Sequence, residues 1–466
     1  MNDTYDFIVI GGGSAGYAGA STAAGLGMTT LLVEGGRDVG GLCILRGCMP
    51  SKTLLESGHR AAAIREAAEF GLHAEYIGPN AAAILARKRR LIGEFADYRR
   101  EQLESGRFAF VRGKAEFGDA HTIDIRLPNG GLQRVTGGAF LIATGSRIGG
   151  PKIEGLEAAG FWTSDDVLDA ETIPESVCIL GGGAIALELA SYYAGLGVPT
   201  SVIQRGAQVL REMDEDVANA ASDALEKRGI EIFRGTKLHR VSKADGGKSV
   251  HFEQGGEART VTAAQIICAL GREPATSGLA LDKAGVKTDH RILTESTQQC
   301  GAPHLFAAGD VCGPHEVVHI AIQQAEIAAR NAARVLGKLD GELERIDYTL
   351  KLFAVFTHPE VAAVGLTGRE CTAQNLDFIS AKYSFADHGK SMVRGATEGF
   401  VKLIAERTTR RIIGGACVGP EASELIHEIV VAMRFGATAG QLATTPHYHP
   451  TLSEIWTYPA EELAGR

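Results

Sequence analysis

The fold of this chain is decided by one stretch, Tyr5-Asp6-Phe7-Ile8-Val9-Ile10-Gly11-Gly12-Gly13-Ser14-Ala15-Gly16. Its mostly apolar beginning predicts a buried strand, and the glycine run then opens a helix of small residues over positions 17–26. A second apolar strand over positions 29–33 ends at Glu34. This order of strand, glycine loop, helix, strand and terminal acid is the pattern of a unit that binds a dinucleotide.

The glycines of this loop have different tasks in such a unit. Gly11 makes the turn, Gly13 admits the pyrophosphate, and Gly16 lets the helix pack on the strand. The acid at the end of the second strand can accept a hydrogen bond from a ribose hydroxyl. The residues that we expect to contact the cofactor here are Gly11, Gly13, Ser14, Ala15, Gly16 and Glu34.

The same pattern returns later in the chain. Residues 177–180 form a predicted strand, and a helix that extends to about residue 196 begins in Gly181-Gly182-Gly183-Ala184-Ile185-Ala186. The next predicted strand, 200–203, ends at Gln204, which follows Gly181 at the spacing that separates Glu34 from Gly11. Two units of equal spacing are far more specific than one glycine run. A protein that binds two dinucleotides is expected to pass electrons between them.

A cysteine pair follows the first unit, in Gly40-Gly41-Leu42-Cys43-Ile44-Leu45-Arg46-Gly47-Cys48-Met49-Pro50-Ser51-Lys52. A structural disulfide here would close only a small loop and would stabilise the fold little. Zinc would need a second ligand pair at similar spacing, and none follows. Spacing alone leaves a structural and a redox role equally open. The other cysteines stand singly and are expected to be small buried hydrophobes: Cys178, Cys268, Cys300, Cys312, Cys371 and Cys417.

The composition is that of an ordinary globular protein. The 466 residues are 45% hydrophobic and 22% charged, and at about 150 residues per domain they predict roughly three domains. A net charge of −9 offers no basic surface to a nucleic acid. No stretch reaches the ~20 apolar residues of a membrane span. We expect no metal site and, because no signal-peptide pattern precedes the first strand, a cytoplasmic location, where a persistent cysteine pair favours catalysis.

The remaining pattern predicts an α/β protein with a distinct terminal part. Further helices are expected over residues 52–70, 81–105 and 320–336, and apolar strands over 266–270, over 305–311 and before Ala143-Thr144-Gly145. Strands at 352–356 and 400–404 and a helix near 421–435 indicate a C-terminal α+β domain. The fold class is therefore α/β, with two Rossmann-like dinucleotide-binding domains and that terminal domain. The expected boundaries are 1–148 and 274–345 for the first domain, 149–273 for the second and 346–466 for the third.

Several further motifs follow one another along the chain. Besides the two glycine loops and the cysteine pair, they are Ala143-Thr144-Gly145, Ala308-Gly309-Asp310, Val355-Phe356-Thr357-His358-Pro359-Glu360, and His449-Pro450-Thr451 with Glu454. With them the chain resembles, over essentially its whole length, the flavin-dependent pyridine nucleotide–disulfide oxidoreductases. This family includes dihydrolipoamide dehydrogenase, glutathione reductase and mercuric reductase.

The resemblance implies that FAD binds the first unit and NAD(P)H the second. Hydride would pass from nicotinamide to flavin, then to the Cys43–Cys48 disulfide, and on to a small disulfide substrate. Cys48 would face the flavin and Cys43 would attack the substrate. The cofactor-binding positions implied beyond the first glycine loop are Gly41, Lys52, Ala115, Ala143, Thr144, Gly145, Gly181, Gly183, Ala184, Ile185, Gln204, Arg205, Arg211, Gly271, Arg272, Gly309 and Asp310.

Thiol–disulfide exchange also needs a proton donor for the departing sulfur, a task that suits histidine. His449 resembles the family's acid–base residue and Glu454 the carboxylate that orients its ring, while His447 is expected to be a bystander. Lys52 and Glu188 resemble the family's ion pair beside flavin and nicotinamide. In this family the terminal domain forms a homodimer and the histidine comes from the other subunit, so each active site would be shared.

Positions at which this chain departs from the family pattern limit the range of expected substrates. Glutathione reductases carry arginines where this chain has Ser21 and Glu326, which argues against glutathione. Mercuric reductases usually end in a cysteine pair and lack the His-Pro-Thr segment that is present here. A disulfide oxidoreductase resembling dihydrolipoamide dehydrogenase is therefore expected. The alternatives are an NADPH enzyme resembling glutathione or mercuric reductase and a non-catalytic flavoprotein that acts by binding.

The second glycine unit bears on the choice of coenzyme. NADH-selective units usually carry an acid at the strand end, which repels a 2′-phosphate, but Gln204 is neutral. Arg205 and Arg211 resemble the phosphate-binding arginines of NADPH-dependent relatives, and Ala186 in place of the third glycine points the same way. NADPH is therefore the expected coenzyme, with NADH as the alternative that the lipoamide-like features favour.

Overall fold

The computed structural model describes residues 3–465. They divide into two compact units, and the second comprises Lys52–Leu85, Gly150–Gly271 and the residues from Tyr348 onward. The first comprises the residues through Ser51 with Ala86–Gly149 and Arg272–Asp347. The expected domain boundaries remain a prediction, and residues 1, 2 and 466 of those domains lie outside the described range.

The strands are, in chain order, β1 (Thr4–Ile10), β2 (Thr30–Glu34), β3 (Ala109–Arg112), β4 (Lys114–Phe117), β5 (Thr122–Arg126), β6 (Leu132–Ile142), β7 (Ser146–Ile148), β8 (Trp162–Thr163), β9 (Val177–Leu180), β10 (Thr200–Ile203), β11 (Ile230–Phe233), β12 (Thr236–Ala244), β13 (Gly247–Gln254), β14 (Glu257–Ala263), β15 (Gln265–Cys268), β16 (Arg272–Pro274), β17 (Thr288–Asp289), β18 (Arg291–Ile292), β19 (Leu305–Ala307), β20 (Leu352–Val355), β21 (Glu360–Gly365), β22 (Phe378–Ser384), β23 (Phe400–Glu406) and β24 (Ile412–Gly419).

The α-helices are α1 (Ser14–Gly25), α2 (Gly41–Leu45), α3 (Cys48–Glu66), α4 (Ala81–Glu104), α5 (Leu156–Ala159), α6 (Ser164–Leu168), α7 (Ala184–Gly195), α8 (Glu215–Lys227), α9 (Val318–Val335), α10 (Gly368–Ala373), α11 (Gly389–Val393), α12 (Ala422–Arg434), α13 (Ala439–Thr444) and α14 (Thr457–Gly465). Short 3-10 helices lie at Ala67–Phe70, Leu281–Ala284, Phe385–Asp387 and Ser453–Trp456.

The first unit is built on a mainly parallel sheet. Its parallel strands have the order β3-β2-β1-β6, with β19 also beside β6, and the antiparallel strands β5 and β4 extend it. The register aligns Ile10 with both Val33 and Ile142, so the carboxyl ends of these strands meet at one edge. Helices α1 and α9 pack on the sheet through small alanines that are fully buried. Open α/β sheets bind ligands at such a carboxyl edge.

The second unit contains a parallel sheet of the same kind. Its order is β11-β10-β9-β15-β8, and Leu180 pairs with both Ile203 and Cys268. Helix α7 follows β9 as α1 follows β1, and the antiparallel strands β12, β13 and β14 form a separate small sheet. At the carboxyl edge of each sheet, a glycine loop therefore connects a strand to the helix that follows it.

The C-terminal part of the second unit is α+β. Its antiparallel sheet has the order β20-β21-β24-β23-β22, and its core includes residues of α12, α13 and α14. Trp456 is fully buried there, and its indole N–H donates to the carbonyl oxygen of Leu425 at 3.0 Å. The α/β fold class with two dinucleotide-binding sheets and a terminal α+β part is confirmed.

Some element boundaries differ from the expected ones. Helix α3 begins at Cys48, before the expected residue 52, and accommodates Pro50 because N–H groups of a first helical turn have no intrahelical partner. Strand β19 ends at Ala307 rather than at 311, since Gly309 has a φ of +82° and turns the chain. Cys48 is therefore the first residue of a helix, and Asp310 lies in a turn after β19 rather than within the strand.

Candidate functional site

The first glycine loop closes tightly on the end of a neighbouring strand. Gly11 has a φ of +110°, and a Cβ atom there would lie 2.4 Å from the carbonyl oxygen of Ala143, the residue after β6. A Cβ atom at Gly16 would lie 1.8 Å from the carbonyl oxygen of Gly11. Both positions therefore require glycine. Ser14 and Ala15 begin α1, where backbone N–H groups can bind a pyrophosphate.

Glu34 at the end of β2 is held against the same loop. Its carboxylate accepts hydrogen bonds from the backbone N–H groups of Gly12, at 2.6 Å, and Gly36, at 2.5 Å. A carboxylate has more acceptor sites than these two bonds use, so a ribose hydroxyl can still donate to it. A Cβ atom at Gly13 would meet nothing closer than the Cα atom of Gly41, at 3.7 Å. The open face at Gly13 and the fixed acid fit a bound dinucleotide.

The two cysteines lie on consecutive helices beside this loop. Cys43 is in the middle of α2, Cys48 is the first residue of α3, and both residues are half-buried. Helix α2 packs on the loop through Gly41, which has a φ of +69° and where a Cβ atom would lie 2.4 Å from the Cα atom of Gly13. The N-terminus of α3 favours negative charge, which suits a thiolate at Cys48. The cysteine stretch and the glycine loop are thus one packed arrangement.

Asp310 is fixed by residues from two distant segments of the first unit. Ser146 Oγ donates to Asp310 Oδ2 at 2.6 Å, and Arg272 Nε donates to Ser146 Oγ at 2.9 Å. Thr144 Oγ1 donates to the carbonyl oxygen of Ala275 at 2.8 Å. The expected residues Thr144, Arg272 and Asp310 are therefore brought together. Ser146, which links two of them, was not predicted, although a hydroxyl directly after Ala-Thr-Gly is a usable signal.

Two further side chains near Asp310 were also missed. Burial raises the pKa of Glu316, and the negative charge of Asp310 raises it further. The side-chain oxygen of Gln324 accepts from the backbone N–H of Gly309 at 2.7 Å, while its amide nitrogen donates to the carbonyl oxygen of Gly313 at 2.7 Å. Gln324 thereby holds the turn that carries Asp310. Neither residue belongs to a motif, so neither could be identified from the sequence.

The second glycine loop repeats the geometry of the first. Gly181 has a φ of +123°, and a Cβ atom there would lie 2.3 Å from the carbonyl oxygen of Ala269, the residue after β15. Ala186, in place of the third glycine, is fully buried. The remaining loop positions form the N-cap and the first two residues of α7: Gly183, Ala184 and Ile185. The two glycine loops, which have equal spacing in the sequence, therefore pack on the neighbouring strand end in the same way.

The residues expected to select the coenzyme follow β10. Gln204 packs against Gly182 and donates through its amide nitrogen to the carbonyl oxygen of Gln208 at 3.2 Å. Arg205 is exposed, and the Arg211 side chain is 83% exposed and pairs with its neighbour Glu212 at 2.8 Å. An ion pair this exposed is weak, so it does not prevent Arg211 from binding another anion.

An ion pair links α3 and α7 in the second unit. Lys52 Nζ donates to both carboxylate oxygens of Glu188 at 2.9 Å. The same carboxylate accepts from the backbone N–H of Phe356 at 3.1 Å, and the Lys52 ammonium lies 4.6 Å from the centroid of the Phe356 ring. The Glu188 side chain is 7% exposed. The two residues that were expected to pair are therefore in contact, and Phe356 supports both.

His449 and Glu454 are also in contact. His449 Nδ1 lies 3.0 Å from Glu454 Oε2, and the peptide bond before Pro450 is cis. The His449 side chain is 79% exposed whereas that of Glu454 is 11% exposed. The other carboxylate oxygen lies 3.4 Å from Nε2 of the fully buried His388. Burial lowers the pKa of His388, a histidine that was not predicted, and thereby favours its neutral form.

His447 has different partners. Its Nε2 lies 2.6 Å from Glu428 Oε1, and its Nδ1 lies 2.8 Å from the carbonyl oxygen of Thr445. Both ring nitrogens are thus engaged within the terminal part of the chain. This arrangement agrees with a structural role for His447.

The other predicted positions are simple to place. Ala115 is a buried residue of β4, and Gly145 and Gly271 have φ values of +71° and +117° in turns. The six cysteines outside the pair are buried, as expected. Burial raises the pKa of Cys178 to about 12, which keeps such a thiol protonated and unreactive.

Known proteins are similar to this chain in sequence and in fold. Residues 5–325 match the family described as pyridine nucleotide-disulphide oxidoreductase, and residues 353–460 match its dimerisation domain. Dihydrolipoyl dehydrogenase of Geobacillus stearothermophilus is 32% identical over 98% of this chain and 96% of its own. Mercuric reductase of Bacillus cereus is 30% identical over 97% of this chain and 70% of its own. The Cu(II) complex of the HOCl-induced flavoprotein disulfide reductase RclA of Escherichia coli superimposes with a TM-score of 0.85 at 24% identity, covering 99% of this chain and 100% of RclA.

The chain belongs to the pyridine nucleotide–disulphide oxidoreductase family, whose members use FAD and NAD(P)H. Its dimerisation domain implies a homodimer. Among residues 3–465 no helix has both the length and the apolar character needed to cross a membrane.

Proposed function

We propose that this chain is an FAD-dependent NAD(P)H:disulfide oxidoreductase of the dihydrolipoyl dehydrogenase type. The observation that carries the proposal is the packing of the cysteine stretch on the first glycine loop, through Gly41 and Gly13. Two half-buried cysteines lie beside a loop whose geometry fits a dinucleotide. The similarity to dihydrolipoyl dehydrogenases supports a small dithiol–disulfide substrate.

In the proposed reaction, NAD(P)H and one proton convert a disulfide into two thiols and NAD(P)⁺. Bound FAD supplies the redox chemistry between the nicotinamide and the cysteine pair. The Cys43 thiolate attacks one substrate sulfur and displaces the other, which leaves a mixed disulfide. Cys48 then attacks Cys43, releases the second substrate thiol and restores the Cys43–Cys48 disulfide.

His449 would supply the proton that the departing substrate sulfur needs. Glu454 accepts from Nδ1 of this histidine, so the proton available to a substrate would be the one on Nε2. The high exposure of the His449 side chain in one chain supports its placement opposite the partner subunit of a dimer. Each of the two active sites would then contain residues of both chains.

Lys52 would provide a fixed positive charge near the redox centre. Glu188 and the Phe356 ring hold its ammonium in one position, so stabilising negative charge requires no rearrangement. We also propose NADPH as the coenzyme, because the neutral Gln204 does not repel a 2′-phosphate and Arg205 and Arg211 are exposed.

The test is to count reactive thiols before and after one equivalent of coenzyme is added without oxygen. The oxidised protein should gain two thiols per chain, and these should be Cys43 and Cys48, because the other cysteines are buried. Cys43→Ser and Cys48→Ser should each abolish both this gain and the reduction of lipoamide. If coenzyme exposes no thiols in the flavin-loaded wild type, the proposed function is wrong.

A further inference from the structure

An arginine on α4 interacts electrostatically with Cys43 and has no acidic partner among residues 3–465. The Arg99 guanidinium stacks on the ring of Tyr17 in α1, 4.1 Å from its centroid. Tyr17 is one helical turn beyond Gly13, to whose carbonyl oxygen its backbone N–H donates at 2.9 Å. Gly13 in turn contacts Gly41, two residues before Cys43. The guanidinium is near enough to Cys43, the sulfur that is proposed to attack the substrate, to interact with it electrostatically.

The surroundings of Arg99 contain unused hydrogen-bonding groups. Its Nη1 atom is buried and has no hydrogen-bond partner in the described part of the chain. The same holds for Ser21 Oγ, one turn beyond Tyr17 on α1, and for Gln102 Oε1, one turn beyond Arg99 on α4. Buried polar groups are normally paired, so several unpaired ones on two helices indicate a place where a ligand makes the missing bonds.

The charge at this place is also uncompensated. Within residues 3–465, no aspartate or glutamate forms an ion pair with Arg99, while the neighbouring Arg100 pairs with Asp97 at 2.8 Å. Burial lowers the pKa of the Arg99 guanidinium, and electrostatic interactions with Tyr17 and Cys43 oppose that shift. Arginine stays charged in proteins, and a half-buried unpaired cation attracts anions strongly.

A purely structural role for Arg99 explains only part of its surroundings. Stacking on Tyr17 explains the contact on the face of the guanidinium, but in the described part of the chain it leaves the buried Nη1 group without an acceptor. Those groups form a planar fork whose geometry matches a carboxylate. The ligand that completes the site should therefore carry both a carboxylate and a group that reacts with Cys43.

We propose that Arg99 determines substrate specificity by binding the carboxylate of a low-molecular-weight disulfide whose sulfur is attacked by Cys43. The inference rests on the proposed function, in which Cys43 is the attacking sulfur. It narrows the substrate class to disulfides with a negatively charged group a short distance from the sulfur pair. Ser21 and Gln102 would contribute further hydrogen bonds to the same substrate.

The first test does not depend on turnover. In the flavin-loaded Cys48→Ser variant, Cys43 is alkylated with iodoacetate, which is an anion, and with iodoacetamide, which is neutral. The ratio of the two rates cancels any change in the intrinsic reactivity of the thiolate. Because hydrogen bonds to charged groups are strong, adding Arg99→Gln should lower the iodoacetate to iodoacetamide ratio about 10-fold or more.

Two matched variants control this test. Arg100→Gln removes the same charge from the adjacent, solvent-facing position and should leave the ratio as it was. Arg99→Lys keeps the charge and should keep most of the preference for iodoacetate. An unchanged ratio in Arg99→Gln, or an equal fall in Arg99→Lys, would overturn the proposal, since charge would then not be what acts on the reagent.

The second test uses lipoate and lipoamide, which share the dithiolane ring and chain and differ in a carboxylate against an amide. Arg99→Gln should lower the ratio of kcat/KM for lipoate to that for lipoamide about 10-fold, and Arg100→Gln should not. If lipoamide is reduced but this ratio does not respond to Arg99→Gln, only the role of Arg99 fails. If coenzyme exposes no thiols, the proposed function fails, and the alkylation ratio still decides whether Arg99 attracts anions to Cys43.

Discussion

At the scale of single residues, the two histidines of the last segment make the proposed chemistry testable. His449 contacts Glu454 and is exposed, whereas His447 is bound on both ring nitrogens. His449→Ala should lower disulfide turnover about 100-fold or more, the usual size of a general acid–base effect, with much less effect on flavin reduction by coenzyme. Steady-state and stopped-flow rates measure the two steps separately. A comparable loss in His447→Ala would contradict this assignment.

Coenzyme selectivity is a second property of single residues. Arg205 and Arg211 are exposed and follow the strand that ends before Gln204. If they bind the 2′-phosphate, the double variant Arg205→Ala with Arg211→Ala should lose kcat/KM for NADPH about 10-fold or more and retain that for NADH. The measurement is kcat/KM with each coenzyme in wild type and variant. A wild-type preference for NADH would show that both arginines are ordinary surface charges.

The sequence predicted residues that stand in motifs and missed those that support them. Gly11, Glu34, Cys43 and His449 could be identified because each lies in a local pattern. His388 could not, since its contact with Glu454 joins positions far apart in the chain and depends on how α11 and the last segment fold. Ser146 and Gln324 were missed for the same reason, because each supports Asp310 or its turn through hydrogen bonds to residues distant in the chain.

At the scale of elements, a lysine from β23 pairs with two aspartates at the start of α8, and one of these aspartates also binds the start of α10. Lys402 Nζ donates to Asp214 Oδ2 at 2.9 Å and to both oxygens of Asp216 at 3.0 Å. Asp214 also accepts from the backbone N–H groups of Gly368 and Arg369. The Lys402 side chain is 10% exposed. Three elements are therefore held by one charged cluster in the second unit.

This cluster predicts a pH-dependent stability. Burial alone would raise the pKa of Asp214 and of Asp216, but the hydrogen bonds and charge of Lys402 lower both overall. The stabilisation is therefore present above the unfolded carboxyl pKa of about 3.9 and is lost as the pH falls through the lower folded values. At pH 7, Lys402→Met should destabilise the protein by about 2–3 kcal/mol, because it leaves two half-buried carboxylates without their main partner.

The check is a series of thermal melts of wild type and variant from pH 7 to pH 3. The difference in Tm should be several degrees at pH 7 and should begin to shrink below about pH 4, where the carboxylates of the unfolded chain take up protons. Lys382→Met is the control, since Lys382 is 49% exposed, pairs with Asp216 and lies 5.0 Å from the centroid of the Phe400 ring, so its loss should cost less than about 1 kcal/mol. A Lys402→Met difference that does not depend on pH would mean that packing, not charge, stabilises these elements.

At the scale of the whole molecule, the repeated glycine unit was the most informative feature of the sequence. It predicted two sheets with equivalent edges because the close contacts of Gly11 with Ala143 and of Gly181 with Ala269 depend on glycine alone. The position of Cys48 at the start of a helix was not predicted. Its helix starts four residues before the expected position and includes a proline, which is tolerated only in the first turn.

A shared active site is the prediction that concerns the dimer as a whole. If His449 serves Cys43 of the partner subunit, neither Cys43→Ser nor His449→Ala homodimers contain an intact site. A mixed dimer of the two variants contains one intact site, formed by Cys43 of one chain and His449 of the other. Random reassociation makes half of the dimers mixed, so about a quarter of the wild-type activity should return in a symmetric dimer of this kind.

Turnover after denaturation, mixing and flavin-loaded refolding measures this recovery of activity, with each variant refolded alone as the control. If activity stays at the level of the separate variants although mixed dimers are recovered by differential tagging, each site is built within one chain, and the exposure of His449 has another cause.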